Sequence, residues 1–409
     1  MSTFKNSYII IAILMCFPLG SCSILDIKKE SELVENVSYL HGKVVGGIHG
    51  HKTYIAIYKY VDGTFELRDH RVVERDGSYE YRVLPNQFGF GAFVDINDNG
   101  KYERDEPATY LGIENNKPEI LNVKANETIK VKTLRISGPI EVPEDVVLLS
   151  NEDNTTKNTG KVVSLTDPIF SDEASSMGLW QPVKYIKTYG SGLFFLQPYS
   201  ENRIPVVFVH GIGGSATTFI PAIETLDKTR FQPWVLQYAS GLRLDILSSF
   251  MDESLNELYE RYHFKEIIVV AHSMGGLVAR SYVMKHQNNN RAYRLRLVVT
   301  IDSPLYGMIS ASSGVHYSPI VVPAWRDVAS DSQFIAKLHE WTWPNSVPYF
   351  LIFSYLPGED GDGVVPMESQ LSPALQEEAV GMFGFKDEHT AILRNDLFIK
   401  KINEVLENY

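Results

Sequence analysis

Cysteine is almost absent from this sequence of 409 residues, which contains only Cys16 and Cys22. Cys16 lies in an N-terminal segment that is expected to be removed, so the mature chain would contain neither a disulfide nor a free thiol. An excess of basic residues is also missing: 38 Lys and Arg stand against 50 Asp and Glu, a formal charge of −12. Because phosphate binding requires a basic surface, we expect no nucleic-acid partner.

The N-terminus lacks an apolar run long enough to cross a bilayer. Its apolar core, Tyr8–Leu19, has 12 residues and follows Lys5, which is the pattern of a signal peptide. The next residues, LGSC, resemble the bacterial lipobox, which implies cleavage before Cys22 and lipidation of its thiol and amine. The alternative is an ordinary signal peptide followed by an unrelated cysteine. The lipobox predicts a lipid-anchored protein of the bacterial cell envelope, and Ser23 favours the outer membrane over the inner.

At this length the chain is expected to hold two domains. Short stretches rich in Val, Ile, Tyr and Phe predict a small antiparallel β-sandwich early in the chain. Later, strands alternate with helices, which predicts an α/β domain with a mostly parallel sheet covered by helices on both faces. The expected segments are a signal peptide (1–21), a tether (22–38), the sandwich (39–149), a linker (150–164) and the α/β domain (165–409).

Secondary structure in the α/β domain follows from hydrophobic periodicity. The expected strands are Ile204–Val209, Ile267–Ala271, Leu295–Ile301 and Val347–Ser354, and the expected helices are Leu244–Arg261, Leu277–His286 and Ile392–Leu406.

The segment KEIIVVAHSMGGLVARSYVMKHQ places Ser273 between a strand pattern and a helix pattern. Small residues, Ala271 and Gly275, stand two positions before and after this serine, where a strand and a helix come close together. A serine on such a strained turn exposes its hydroxyl group, so Ser273 is the candidate nucleophile.

Four segments of the sequence form a characteristic series: VVFVHGIGGS, VVAHSMGGLVAR, TIDSPLYG and DGVVP, followed by a late histidine. Together they resemble bacterial lipases and esterases of the α/β-hydrolase superfamily, and in particular the PGAP1-like and triacylglycerol-lipase-like proteins. The resemblance covers residues 184–409. It implies the α/β-hydrolase fold and an acyl hydrolase with a Ser-His-Asp triad that needs no cofactor for catalysis.

The resemblance also implies which residues serve Ser273. In these enzymes the acid and then the histidine follow the serine along the chain, which favours Asp362 as the acid and His389 as the base. Two other carboxylates remain open as the acid. Asp360 lies in the same glycine-rich turn, and Asp302 stands where related sequences have glycine.

Two backbone N–H groups are needed to bind the oxyanion that forms during acyl transfer. By the resemblance, one belongs to Met274, directly after the nucleophile. The other belongs to Ile212 in the glycine-rich turn after an early strand, or to Gly213 if that turn is displaced by one residue.

The substrate is less closely defined by the sequence. An insertion, Gly307–Trp343, is in the usual position of a cap, and its apolar segment Pro319–Trp325 is expected either to face acyl chains or lipid or to pack against the sheet. The favoured function is hydrolysis of carboxylic esters, with lipid or acyl esters as substrates. Acyl transfer by the same residues, and a binding protein without catalysis, are the alternatives.

One loop of the predicted sandwich has the spacing of a calcium loop, with a glycine at the sixth position. The oxygen ligands would come from Asp95, Asn97, Asn99, Lys101 (through its backbone), Glu103 and Glu106. A turn without metal is the alternative, because Asn, Asp and Gly form such turns unaided.

Overall fold

The computed structural model describes residues 21–141 and 158–409, with the backbone alone at 21–23. The predicted signal peptide therefore lies outside the described residues except at its last position. Among the described residues, 32–141 form one compact unit, and 21–31 with 158–409 form the other, which is called here the catalytic unit because it contains the candidate residues Ser273, Asp362 and His389. In the described ranges, no helix has both the length and the apolar character needed to cross a membrane.

The first unit contains two β-sheets. One has the strand order β4-β1-β8 with β9 also paired to β1, and the other has the order β3-β2-β5-β6 with β7 also paired to β5. The strands are β1 (Ser38–Val45), β2 (Lys52–Val61), β3 (Thr64–Val72), β4 (Ser78–Val83), β5 (Asn86–Asp95), β6 (Ala108–Tyr110), β7 (Leu121–Val123), β8 (Thr128–Lys130) and β9 (Leu134–Arg135).

Both sheets of this unit contribute to one apolar core. In β4, Tyr79, Tyr81 and Val83 are buried and alternate with more exposed residues, as expected for a strand with one face in the core. Leu40 of the first sheet and Ile55 of the second belong to the same buried cluster. Most strand pairs are antiparallel, as predicted for the sandwich, but β1 differs from the prediction because it pairs with β8 and with β9 in parallel.

The catalytic unit contains a seven-stranded sheet with the order β10-β12-β11-β13-β14-β15-β16. The β10–β12 pair is antiparallel, and every other neighbouring pair is parallel. The strands are β10 (Gly192–Phe195), β11 (Ile204–Val209), β12 (Phe231–Gln237), β13 (Glu266–His272), β14 (Arg294–Ile301), β15 (Tyr349–Ser354) and β16 (Gly381–Phe385).

The central strands of this sheet are apolar without alternation. In β13, every residue from Ile267 to His272 is buried, so side chains on both faces of the sheet are removed from solvent. Parallel neighbours require crossover connections, and helices supply them. The helices are α1 (Ser21–Glu35), α2 (Asp172–Trp180), α3 (Pro182–Thr188), α4 (Ile220–Thr225), α5 (Leu244–Tyr262), α6 (Met274–Asn288), α7 (Ile309–Tyr317), α8 (Pro323–Val328), α9 (Gln333–Glu340), α10 (Met367–Gln370), α11 (Pro373–Glu378) and α12 (Asp396–Asn408).

Three segments differ from the expectation. The region predicted as a tether, 22–38, is helical up to Glu35 in α1. Residues 158–163, assigned to the linker, hydrogen-bond with β10 and its flanking residues and are part of the catalytic unit. The predicted last helix is divided into a 3-10 turn, Ala391–Arg394, and α12, because the Asn395 side chain accepts the N–H groups that begin α12.

Candidate active site

Ser273 lies at the turn between β13 and α6. Its φ of 56° and ψ of −131° fall outside the regions that residues other than glycine prefer. Such a conformation costs on the order of 1–3 kcal/mol and persists only where the surroundings enforce it. Here its N–H group donates to the carbonyl of Ile301 at 2.8 Å, and its carbonyl accepts from Gly276 at 2.9 Å. The strained turn holds the serine side chain at the carboxyl edge of the sheet.

His389 reaches Ser273 from a loop 116 residues later in the chain. Its Nε2 atom lies 2.9 Å from Ser273 Oγ, and its Nδ1 atom lies 2.8 Å from Asp362 Oδ2. An ionised carboxylate can only accept, so Nδ1 must carry the proton. Nε2 is then the acceptor for the serine hydroxyl, which is the tautomer that a general base requires.

A turn rich in glycine directs Asp362 at the histidine. The second carboxylate oxygen, Oδ1, accepts the N–H groups of Val364 and Val365 at 2.8 and 2.7 Å. Gly361 has a φ of 96°, and a Cβ there would lie 2.0 Å from the Val365 carbonyl oxygen, so only glycine fits. Asp362 is 1% exposed, and its own carbonyl accepts the N–H of His389 at 3.1 Å. The acid is therefore fixed to the histidine by both side chain and backbone.

The two other candidate acids have different partners. Asp360 is exposed, and its carboxylate accepts the N–H of Met367 at 3.3 Å. Asp302 is 0% exposed and accepts the hydroxyl of Ser354. Burial raises the pKa of Asp302 well above its usual range, and the neighbouring Asp362 raises it further. Burial and the neighbouring Asp362 therefore both disfavour a charged Asp302, whereas Asp362 is the group in hydrogen-bond contact with the ring of His389.

The glycine-rich turn after β11 lies beside the serine. A Cβ at Gly211 would be 2.8 Å from Ser273 Cβ, so the backbone passes the nucleophile in close contact. The N–H of Gly213 donates to Ser240 Oγ at 2.9 Å. Because that group is already engaged, the geometry favours Ile212 over Gly213 as the oxyanion donor that pairs with Met274.

Two further histidines, which the sequence analysis did not include in the site, support it. His272 lies next to Ser273, and its Nε2–H donates to the carbonyl of His389 at 2.9 Å. His210 precedes the glycine-rich turn, and its ring stacks on Tyr238 with the centroids 4.1 Å apart. Burial lowers the pKa of His272 to about 3 and that of His210 to about 4, so both rings are neutral. The signal that could have identified them is their position at the end of a buried strand: His272 is the last residue of β13, and His210 directly follows β11.

Three side chains at this site carry atoms that could ligate a metal ion. Within the described residues, His272, Asp302 and His389 place one ligand atom each within 4.8 Å of one another. Both ring nitrogens of His389 and the Nε2 of His272 are already in hydrogen bonds. We therefore interpret this group as part of the hydrogen-bond network around the histidine.

The predicted calcium loop follows β5 in the first unit. Both carboxylate oxygens of Asp95 accept backbone N–H groups, from Asn99 and Gly100. Those of Glu106 accept the N–H groups of Ile96 and Glu103. The Oε2 atom of Glu103 is buried without a hydrogen-bond partner.

Several carboxyl groups lie close together in this loop. Burial raises the pKa of Glu106, and the nearby Glu103 and Asp95 raise it further. Asn97 and Asn99 each use a side-chain oxygen to accept an N–H within the loop. The donor set consists of oxygen atoms only and includes three carboxylates close together. That set fits a hard divalent cation such as calcium.

A sheet of parallel strands with a serine at the turn after its central strand defines the α/β-hydrolase class. Residues 243–378 match the model of a family described as an alpha/beta hydrolase of unknown function (DUF915). This range includes Ser273 and Asp362 and ends before His389. The catalytic unit has the α/β-hydrolase fold.

Three solved structures match part of this chain at low sequence identity. A lipase from Bacillus licheniformis, BlEst2, has 18% identity and a TM-score of 0.43 over 51% of this chain and 93% of its own. The lin2722 gene product of Listeria innocua has 20% identity and a TM-score of 0.40 over 51% and 95%. A monoacylglycerol lipase from Paleococcus ferrophilus has 16% identity and a TM-score of 0.37 over 49% and 91%. A comparison with curated protein sequences finds no match.

Proposed function

We propose that this protein is a membrane-anchored serine hydrolase that cleaves carboxylic esters, with lipid or acyl esters as its substrates. The observation that supports the proposal most strongly is the hydrogen-bonded series Ser273–His389–Asp362. The proposal also agrees with the resemblance to PGAP1-like and triacylglycerol-lipase-like sequences.

In the first half of the reaction, His389 Nε2 removes the proton from Ser273 as Oγ attacks the ester carbonyl carbon. The carbonyl oxygen becomes an oxyanion and accepts hydrogen bonds from the N–H groups of Met274 and Ile212. His389 then gives the proton to the leaving alcohol as the carbon–oxygen bond breaks. An acyl group remains on Ser273.

In the second half, water replaces the alcohol. His389 removes a proton from the water, which attacks the acyl carbon, and then returns that proton to Ser273 Oγ as the acid product leaves. Throughout, Asp362 holds the imidazole in the correct tautomer and stabilises its cation. No step requires a cofactor.

Labelling with a fluorophosphonate probe tests this proposal without knowledge of the substrate. The probe reacts with an activated serine, so the wild-type protein should be labelled and Ser273→Ala should not. Ser273→Ala should also lower kcat on the order of 10⁶-fold, as loss of the nucleophile does in a comparable triad. Ser303→Ala is the matched control, since Ser303 is also buried and its hydroxyl donates to a backbone carbonyl. Labelling that survives in Ser273→Ala would contradict the assignment.

The same experiment separates the alternatives. A binding protein without catalysis would not be labelled at all. An acyltransferase would be labelled, but it would form a new ester when an alcohol is added, whereas a hydrolase would continue to release the free acid. Product analysis with and without added alcohol therefore distinguishes hydrolysis from acyl transfer.

We further propose that acyl chains on Cys22 anchor the protein in the bacterial cell envelope, at the outer membrane in preference to the inner. The support is the lipobox pattern, since the Cys22 side chain lies outside the described part of the chain. Each buried CH₂ contributes about 0.8 kcal/mol to membrane binding, so several chains would hold the protein permanently. We also propose calcium in the loop formed by Asp95 to Glu106.

A further inference from the structure

Helix α1, which begins at the predicted anchor, contacts the insertion that was predicted as a cap, Gly307–Trp343, and that is called the cap below. The hydroxyl of Ser31 donates to the carbonyl of Val321 at 2.6 Å. The carboxylate of Glu30 accepts the N–H groups of Val183 and Lys184, at the beginning of α3, at 2.7 and 3.2 Å. Ile27 of the same helix is buried. These contacts fix α1 to two neighbouring segments of the catalytic unit.

The two segments also contact each other and the candidate active site. Trp180, just before α3, packs edge-on against Trp325 of the cap, with the centroids 6.3 Å apart. The N–H of Ala324 donates to Gly241, the residue next to Ser240. Ser240 in turn accepts the N–H of Gly213 in the glycine-rich turn. A series of contacts therefore connects α1, through the cap, with the glycine-rich turn beside Ser273.

The cap has an outer surface of unusual composition. Residues 303–325 contain no Asp, Glu, Lys or Arg and form the longest such run in the sequence, in a chain in which 22% of the residues are charged. Helix α7 lies in this run, and Gly314 is its one buried residue. Ile309 at its beginning is 65% exposed, and Tyr317 at its end is 86% exposed.

The inner part of the same run packs normally. Val322, Pro323 and Ala324 are buried. The apolar segment Pro319–Trp325 is therefore anchored by its second half, while α7 presents uncharged residues outward. We call the exposed surface of α7, with Ile309 and Tyr317, the cap face.

We propose that the cap face lies on the lipid bilayer and that ester substrates reach Ser273 from the membrane. This inference rests on the proposed anchor at Cys22. Ser31 is nine residues after Cys22 on one helix, which at 1.5 Å per residue places the cap contact within about 14 Å of the anchor along the helix. Ile24 and Leu25, next to the anchor, are also exposed. A protein with a charge of −12 is repelled by anionic lipids, so a surface beside the anchor with few charged groups is the surface that can approach them. Asp331, which accepts the hydroxyl of Ser312 on α7 at 2.7 Å, adds one carboxylate to this surface.

Single-cysteine labelling of the full-length lipidated protein tests the position of the cap face. An acylated Cys22 has no free thiol, so Tyr317→Cys gives a unique site for an environment-sensitive fluorophore. The matched control is Lys265→Cys. Lys265 is exposed directly before β13, whereas Ser273 follows the end of that strand, so the two lie at opposite edges of the sheet. In phospholipid vesicles that contain a lipid-borne quencher, fluorescence at position 317 should be quenched severalfold more than at position 265.

A second pair of variants tests the role of α1. Glu30→Ala with Ser31→Ala removes the contacts to α3 and the cap, whereas Asp26→Ala removes an exposed carboxylate from the same helix. The double variant should stay on the membrane and hydrolyse a soluble short-chain ester at the wild-type rate. Its rate on an ester embedded in vesicles, and the quenching at position 317, should both fall severalfold. Asp26→Ala should leave both unchanged.

The outcomes separate this inference from the proposals beneath it. Equal quenching at positions 317 and 265 in an acylated protein would overturn the inference and leave the anchor intact. Dimers that protect position 317 without any lipid contact would overturn it in favour of a second copy. An N-terminus without acyl chains would overturn the anchor and this inference together. A wild-type protein that does not hydrolyse the soluble ester would contradict the hydrolase proposal. The quenching measurement reports on the position of the cap face independently of catalysis.

Discussion

The carboxyl group of Asp302 accepts the hydroxyl of Ser354, although the carboxyl group lies close to the candidate histidine. Asp362, by contrast, accepts Nδ1–H of His389 at 2.8 Å. The two acids differ in environment as well as in partner, because burial raises the pKa of Asp302 well above its usual range. The structure therefore supports a different role for each of these two carboxyl groups.

The first prediction concerns these two acids. Asp362→Asn should lower kcat about 10⁴-fold with folding preserved, because the amide favours the wrong tautomer of His389. Asp302→Asn keeps the shape of the side chain and an oxygen that can accept the Ser354 hydroxyl, so it should change kcat by less than about tenfold. Steady-state kinetics with circular dichroism as a check on folding would measure both. If Asp302→Asn were folded but inactive and Asp362→Asn were active, the catalytic acid would be Asp302 and not Asp362.

The second prediction concerns the acid stability of the catalytic unit. The pKa of His272 falls from 6.5 to about 3 on folding, because the ring is buried. Below pH 6.5 the unfolded chain binds a proton that the folded state does not, so stability is lost as the pH falls towards 3. At pH 5 this linkage costs about 2 kcal/mol relative to pH 7.

His272→Gln removes the titrating ring and keeps an N–H donor for the carbonyl of His389. The loss of unfolding free energy between pH 7 and pH 5, measured by urea denaturation, should therefore be about 2 kcal/mol smaller in this variant. His316→Gln, at an exposed ring, is the control and should behave as the wild type. If the two variants show the same pH dependence, His272 is not held neutral by burial.

The third prediction concerns the oxygen-rich loop of the first unit. Millimolar calcium should raise the melting temperature of one transition of the full-length protein, because the cation would neutralise carboxylates that repel one another. Asp95→Ala should abolish the increase, while ester hydrolysis should stay the same with and without calcium. Calorimetry would measure the melting temperatures with and without calcium, and magnesium serves as the comparison ion. No heat of binding and no shift in melting temperature would leave a turn without metal.

The fourth prediction concerns the N-terminus. Cys22→Ala should give a protein that no longer partitions into the detergent phase, since the acylated side chain is missing. Cys16→Ala is the matched control and should not affect partitioning, because that residue lies in the predicted signal peptide. Mass spectrometry of the mature N-terminus would measure the modification directly. A mature protein that begins elsewhere, without acyl chains, would remove the anchor.

The candidate nucleophile could be predicted from sequence because its pattern is local. Strand, turn and helix around Ser273 occupy one short segment, and the observed elements β13 and α6 extend each predicted element by only a few residues. The strand predicted at Ile204–Val209 matches β11 at both ends. Periodicity works well at such places because burial on both faces leaves a long apolar run.

Other elements could not be predicted because their apolar residues do not recur at the spacing of a helix or a strand. Strand β12, Phe231–Gln237, is buried at every position although it contains a proline and two glutamines. Gln232 is accommodated because its side chain bonds to Ser200 and Arg203. The predicted tether is a helix whose residue Glu30 bonds to an N–H group 153 residues away. No local pattern contains such partners.

The sequence by itself determined the fold class, the serine, the late histidine and a short choice of acids. These follow from hydrophobic runs and turn residues, which act over a few positions of the chain. Only the tertiary structure distinguishes Asp362 from Asp302, because it brings the carboxyl group of Asp362 within 2.8 Å of a ring 27 residues further on in the sequence. The same holds for the neutral His272 and for the contact between α1 and the cap, since burial and long-range hydrogen bonds exist only after the chain has folded.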